Sequence, residues 1–299
     1  MGLLSRIAAP AQDAMMADIL PENKRQEGFG ITRVVFNFSW IIGTALGGLL
    51  AEKSFFALFV TDAILSSLVA FILYVKLPET QPAHHKEEKT NESLRKTFAD
   101  YRIVLRDAGY ISFTMAGILS LLVYQQQYSS LPVFLRDIHG IAPNIYGVML
   151  SITGLEVVLL QFWISRKIRK FNPFLTMTVG VLFFMVGFSM IGIIRAIPLF
   201  LTAVIIITIG EMIIFPTNRV IATAFAPEDM RGRYMAIYDL GWTLPATFGP
   251  AAAGLILDHY DPRLLWYIGG VFCALSAFWY YLLHLKLGAE PRFQPSNDE

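Results

Sequence analysis

Cysteine, charge and nucleotide-binding loops are what this sequence has little of. Its 299 residues hold one cysteine, Cys273, inside an apolar run. A single cysteine excludes an internal disulfide and a cysteine-based zinc or redox cluster. Charged residues make up 16% of the chain, where soluble proteins carry about 25%. The net charge of +1 leaves no basic face once loops are assigned, which argues against a nucleic-acid partner. No phosphate-cradling Gly-rich loop with a following Lys-Ser/Thr occurs, so ATP-driven pumping is excluded on this chain. The histidines at 84, 85, 139, 259 and 284 fall in loops or at the ends of apolar runs, without a catalytic constellation around them. The expectation is therefore no enzyme, no cofactor and no metal. Arg6, Asp13 and Asp18 interrupt the apolar core that a signal peptide would need.

Long apolar runs are what is there, and hydrophobic residues make up 55% of the chain. Runs of about 20 residues can cross a bilayer as helices, and they recur along the whole length. Residues 1–20 read as part of one span. Complete spans are predicted over about 30–51, 55–77, 109–135, 144–165, 172–194, 198–224, 231–257 and 262–286. The segments lack the alternation of a β-barrel strand, and only helices satisfy their own amides in lipid. The fold class is an all-α membrane protein with one partial and eight complete transmembrane helices. One set of loops and span ends carries nineteen Lys and Arg, the opposite set four. The basic side is cytoplasmic by the positive-inside bias, which puts the C-terminus inside a plasma or inner membrane. Residues 78–107 form a cytoplasmic linker. It starts as polar PETQPAHHKEEKTNES and ends with Leu94, Phe98, Tyr101 and Leu105 at helical spacing, an amphipathic helix for the inner membrane face. His84 and His85 in that linker read as a solvated pair. The divisions are 1–77, 78–107, 108–288 and a tail, 289–299.

The chain also repeats itself. A shift of 206 places Pro10 on Pro216, Pro21 on Pro227, Glu22 on Glu228 and Arg25 on Arg231. Without a gap it places Gly43 on Gly249, Ala45 on Ala251 and Gly48 on Gly254. Matched Pro and Gly carry weight because each marks a backbone geometry. Met1 aligns with Ile207, so equivalent halves would place about 100 more residues before Met1.

Two parallel halves, a basic central linker and paired PExxR turns (PENKR at 21–25, PEDMR at 227–231) resemble the major facilitator superfamily. The resemblance implies a twelve-helix plan of which this chain lacks helices one to three. Residues 1–77 then hold the fourth to sixth helices and 108–288 the C-terminal six. More closely, SWIIGTALGGLL at 39–50 is similar to the antiporter motif of bacterial multidrug-efflux members, with Gly43, Gly47, Gly48 and Leu49 in place. Thr44 stands where the motif has proline, and the Gly-Pro step appears at Gly249-Pro250 instead. QFWISRKIRK at 161–170 echoes the superfamily's loop motif, with Ser165 in place of Asp and Ile168 in place of Gly. The resemblance implies a secondary transporter that exports amphipathic compounds or drugs in exchange for protons by alternating access. A proton-coupled uptake symporter and a non-transporting truncated remnant are the alternatives. A small-molecule substrate, protons and the lipid bilayer are the expected partners of a monomer.

Ionisable side chains within spans are costly and mark functional candidates. Glu211 and Glu156 fall near mid-span, and Asp62 lies shallower with Ser66 one turn on. Thr208 and Asn218 share a face with Glu211 by spacing, as Thr153 does with Glu156. Tyr124 and Gln126, in the run Tyr124–Tyr128, offer a polar aromatic lining or a wet helix end. The other role for each carboxylate is an interhelical hydrogen bond. Small residues at Gly43, Gly47, Gly48, Gly249 and Gly254, with Pro250, predict close helix packing. Equal distance from each charged turn predicts two ion pairs near the cytoplasmic end, Asp13 with Arg33 and Arg219 with Asp239.

Overall fold

The computed structural model describes residues 15–76 and 94–294. Among them the chain runs through a turn at Glu22–Lys24 into α1 (Arg25–Lys53) and α2 (Phe55–Lys76), then α3 (Leu94–Arg106) and α4 (Ala108–Tyr124). It continues through α5 (Gln126–Ser129), α6 (Leu131–His139), α7 (Pro143–Ile168), α8 (Pro173–Ile191), α9 (Ile197–Phe225), α10 (Arg231–His259) and α11 (Leu264–Leu287). Prolines open α6, α7, α8 and α9 at the first or second position, where the missing N–H has no partner to lose. The repeat is visible in the helices themselves. Adding 206 to both ends of α1 gives both ends of α10.

Six helices among the described residues are long and apolar enough to cross a membrane, from α4 continued by α5 through to α11. A shorter apolar stretch, Phe59–Val75, lies in α2. The predicted span 109–135 is the one that breaks, into α4, α5 and α6. Pro132 has no N–H to give to the preceding turn. The Gln126 side chain takes up main-chain bonding there, donating to Leu122 O at 2.9 Å and accepting from Ser130 Oγ at 2.8 Å. The piece ends at Gly140, whose φ of 63° is a left-handed cap.

In the second half α8 packs between α9 and α11, and α4 packs on α11 and α10. Backbones approach closely where small residues meet: a Cβ at Gly210 would lie 2.8 Å from Gly180 O. Polar bonds cross the same seams, from Ser276 Oγ to Ala116 O at 2.7 Å and from Tyr110 OH to Tyr234 O at 2.6 Å. Of the predicted glycine motif, Gly43, Gly47 and Gly48 fall within α1, but their packing lies outside the described residues. Gly249 is buried, and a Cβ there would meet Gln126 Nε2 at 2.9 Å. Pro250 is half-buried beside it. At Gly254 no described atom lies within 4 Å of where a Cβ would stand.

From the first half, α1 packs against α7 and α9. Large apolar side chains of α7 face outward, Leu155, Leu159 and Trp163 among them, as lipid-facing positions do. The starts of α1, α8 and α10 and the ends of α7 and α9 gather at one end, around a cavity of about 750 Å³. Its walls include Arg25, Arg169, Arg231 and Arg292, so this is the basic end. The chain beyond α11 folds back onto it. Asn172 Nδ2 donates to Gly288 O at 3.0 Å and to Phe293 O at 3.2 Å, while Phe293 is buried against the rings of Phe174 and Phe225.

Candidate functional site

Glu211 is the central residue of α9, fourteen positions from either end. At 1.5 Å per residue that is about 21 Å of helix on each side, the depth of a bilayer midplane. It is buried, and its carboxylate is held by Arg33 of α1. Arg33 Nη2 reaches Glu211 Oε2, while Nη1 donates to Glu211 O at 2.7 Å. The guanidinium also lies over the Phe215 ring, 4.4 Å from its centre. Both groups are less than a tenth exposed. One arginine thus satisfies the carboxylate, a main-chain carbonyl and an aromatic face, across the contact between α1 and α9.

Arg33 was expected opposite Asp13 across its own hairpin; among the described residues α1 turns it toward α9, where Glu211 offers two acceptors. Asp13 itself lies outside the described residues. Arg219 stacks toward Phe29 of α1, 5.8 Å from the ring centre, so it too faces the first half.

Around the pair stand aromatic and amide groups of α4, α5, α7 and α10. Tyr124 stacks on Phe184 with ring planes 7° apart and meets Phe215 and Trp242 edge-on, at 5.1 and 6.0 Å. Its hydroxyl lies 3.1 Å from that of Tyr128. The side chains of Tyr124 and Gln127 approach the Glu211 carboxylate. Tyr146 of α7 donates to Gln127 O at 2.5 Å. Gln127, rather than Gln126, therefore belongs to this cluster; Gln126 is spent on the break between α4 and α6.

Glu156 sits at the middle of α7, half-buried and facing the same group of charges. One of its oxygens is buried with no hydrogen-bond partner among the described residues. Thr208 and Thr153 return their hydroxyls to their own helices, to Val204 O and Leu150 O. Asn218 is buried two turns from Glu211, beside a gap of about 10 Å³ bounded by Phe113, Thr114 and Tyr238, apart from the pair. Asp62 and Ser66 are exposed on α2, which packs chiefly on α1.

Contacts that the sequence did not single out flank the pair toward the basic end. Gln161 Nε2 donates to Met212 O and to Ser165 Oγ, both at 2.9 Å. Ser165 is fully buried, and Gly30 of α1 lies so close that a Cβ there would overlap Ser165 Oγ. A carboxylate at 165, as in the resembled loop motif, would have no room and no water. Further out, Arg169 binds Glu27 at 3.1 Å and Asn23 O at 3.0 Å, and Arg231 binds Asp18. Both ion pairs join residues before position 28 to α10 or the end of α7. The clue in the sequence was the charge flanking each PExxR turn, but not its partner. At the opposite end His139 is wedged between Phe134 and Phe200, ring centres 5.1 and 4.9 Å away. Burial, then the charges of Arg263 and Arg195, hold its pKa below the usual histidine range.

The family model for the Major Facilitator Superfamily matches residues 1–246 and 128–298. An uncharacterized MFS-type transporter, YttB of Bacillus subtilis, is 30% identical over 88% of this chain and 65% of its own length. A Na(+), Li(+), K(+)/H(+) antiporter of Planococcus maritimus is 27% identical over 95% of this chain and 72% of its own. Among solved structures, the human organic anion transporter MFSD10 superposes with a TM-score of 0.76 at 17% identity, over 91% of this chain and 67% of its own. The chain thus spans about two thirds of the length of the relatives it matches.

Proposed function

Because the chain belongs to the Major Facilitator Superfamily, we propose that it moves a small solute across the plasma membrane in exchange for protons, with the Arg33–Glu211 pair as the coupling element. The observation that carries the reading is the buried ion pair at the middle of α9, joining one half to the other. An ion pair there is costly unless both partners stay matched. A proton arriving on Glu211 removes the attraction and frees Arg33, which loosens α1 from α9. Deprotonation restores the contact, so proton occupancy and the relative position of the halves are linked. Glu156, one of whose oxygens has no hydrogen-bond partner among the described residues, is the second proton-carrying candidate.

The basic end is read as cytoplasmic from the bias of Lys and Arg. The pairs Asp18–Arg231 and Glu27–Arg169 then close the protein toward the cytoplasm, and Arg219 with Asp239 adds a third charged contact to this gate. They must part for the cavity to open inward. The aromatic cluster of Tyr124, Phe215 and Trp242 beside a carboxylate suits an amphipathic, cationic solute, which favours drug-type export. A second reading, exchange of monovalent cations for protons, is favoured by the Planococcus maritimus relative, whose similarity extends over 95% of this chain.

The test is proton-driven flux in proteoliposomes, with a lipophilic cation in one arm and sodium or potassium in the other. Glu211→Gln is expected to abolish coupled flux in whichever arm the wild type shows it, while membrane insertion is unchanged. Wild-type coupled flux in the Gln variant removes Glu211 from the mechanism.

A further inference from the structure

Helix α3 has two faces with different neighbours. It runs into α4 with Asp107 alone between them, and the Asp107 carboxylate caps α4 by accepting from Tyr110 N at 3.0 Å. That junction holds α3 at the boundary where α4 enters the membrane. From Asp100 onward, Val104 is fully buried and Tyr101 packs on the core, while Arg102, Ile103, Leu105 and Arg106 are exposed. At 100° per residue Arg102 and Arg106 form one ridge, with Leu105 on one flank and Ile103 on the other. Ile103 and Leu105 are 54% and 58% exposed. Water disfavours such a surface, whereas the headgroup layer of a bilayer accepts both the apolar flanks and the cationic ridge. Arg102 and Arg106 make no ion pair with any described residue, so their charges face outward.

The inward face is bonded to α10. Arg233 Nη2 meets Asp100 Oδ2 at 2.7 Å, and Tyr234 OH donates to Asp107 Oδ2 at 3.0 Å. Both partners lie within three residues of Arg231, which pairs with Asp18 across the halves. We propose that α3 is a docking surface for anionic phospholipid headgroups, and that its hold on them fixes the start of α10. The ridge of two guanidinium groups selects phosphate-bearing lipids of net negative charge over zwitterionic ones, and Asp100 transmits that hold to Arg233. The docking half is independent of which solute the protein moves; the link to the gate rests on the closed-end reading given above.

The experiment uses the purified protein with mixed phosphatidylglycerol and phosphatidylcholine, the retained lipids being counted by native mass spectrometry. Each arginine near an anionic surface contributes about fivefold in preference, about 1 kcal/mol, so two contribute about 25-fold. Wild type is expected to retain phosphatidylglycerol preferentially. Arg102→Gln/Arg106→Gln loses that preference, and Arg102→Lys/Arg106→Lys keeps most of it. Equal retention of both lipids by wild type, or undiminished preference in the Gln variant, overturns the docking surface. Amide exchange at 231–238 then tests the link. It is expected to be slower in phosphatidylglycerol nanodiscs than in phosphatidylcholine ones, a difference that Asp100→Asn removes. The same exchange in both lipids overturns the link. Protection by inorganic phosphate alone overturns the lipid as the source.

Discussion

Glu211→Gln leaves Arg33 buried without a counter-charge, and the structure sets what that costs. Breaking a buried pair by removing one partner costs about 3–5 kcal/mol. Arg33 keeps its bond to the residue 211 carbonyl at 2.7 Å and its place over Phe215, which put the loss near about 3 kcal/mol. Arg33→Met leaves a carboxylate instead, which a proton can neutralise, so its cost falls as pH is lowered; a guanidinium has no such escape. The double variant Arg33→Met/Glu211→Gln removes both charges and is expected within about 1 kcal/mol of wild type, because replacing a buried pair by neutral groups is often neutral or stabilising. The coupling is therefore opposite in sign to the single losses and about as large as their sum. Denaturant unfolding in detergent micelles, followed by circular dichroism, measures all four proteins. A double variant whose loss equals the sum of the singles refutes the pairing, as does a Glu211→Gln loss under about 1 kcal/mol.

At the basic end, Asp18→Arg or Arg231→Asp alone should open the cavity to a water-soluble thiol reagent at a cysteine placed at Thr223, in a Cys273→Ser background. The two reversals together should restore protection, and labelling that ignores all three sets of changes removes the pair from the gate. Joint reversal of Arg219 and Asp239 should likewise recover expression that either single reversal loses, measured by membrane yield. His139 holds its pKa below the usual range, so folding favours the neutral ring. Its contribution is fully present above the ordinary histidine pKa of about 6.5 and is lost as pH falls toward the depressed folded value. The wild-type melting temperature should therefore drop between about pH 7 and about pH 5 by more than that of His139→Phe. Equal drops would show that the ring does not titrate in that window.

What the sequence revealed and what it hid divide along the range of the interaction. The repeat was legible because Pro and Gly punctuate both copies, and α1 and α10 duly begin and end at matched positions. The spans from residue 108 onward were legible because lipid demands apolar length, and counting within them put Glu211 and Glu156 at mid-helix. The broken span was half-written in Pro132 and the glutamine run, whose side chains compete for main-chain bonds. The partner of Arg33 was not legible. Depth reasoning within one hairpin paired it with Asp13, which lies outside the described residues, and gave no sign of the acceptor 178 residues away on α9. Local spacing fixes which face a residue occupies but not which helix will cover that face.

The anchored chain end has a practical consequence for anyone handling this protein. Asn172, Phe174 and Phe225 grip the segment as far as Phe293, and Arg292 lies 4.8 Å from the Phe225 ring centre. A purification handle or fluorescent fusion joined after Gln294 leaves that grip intact. A junction placed before Pro291 withdraws an aromatic ring from an apolar socket, and a buried aromatic removed in this way costs about 3–5 kcal/mol. Reporter fusions cut at the end of α11 would therefore read out a loosened basic end, and a low yield from them would say more about the cut than about the protein.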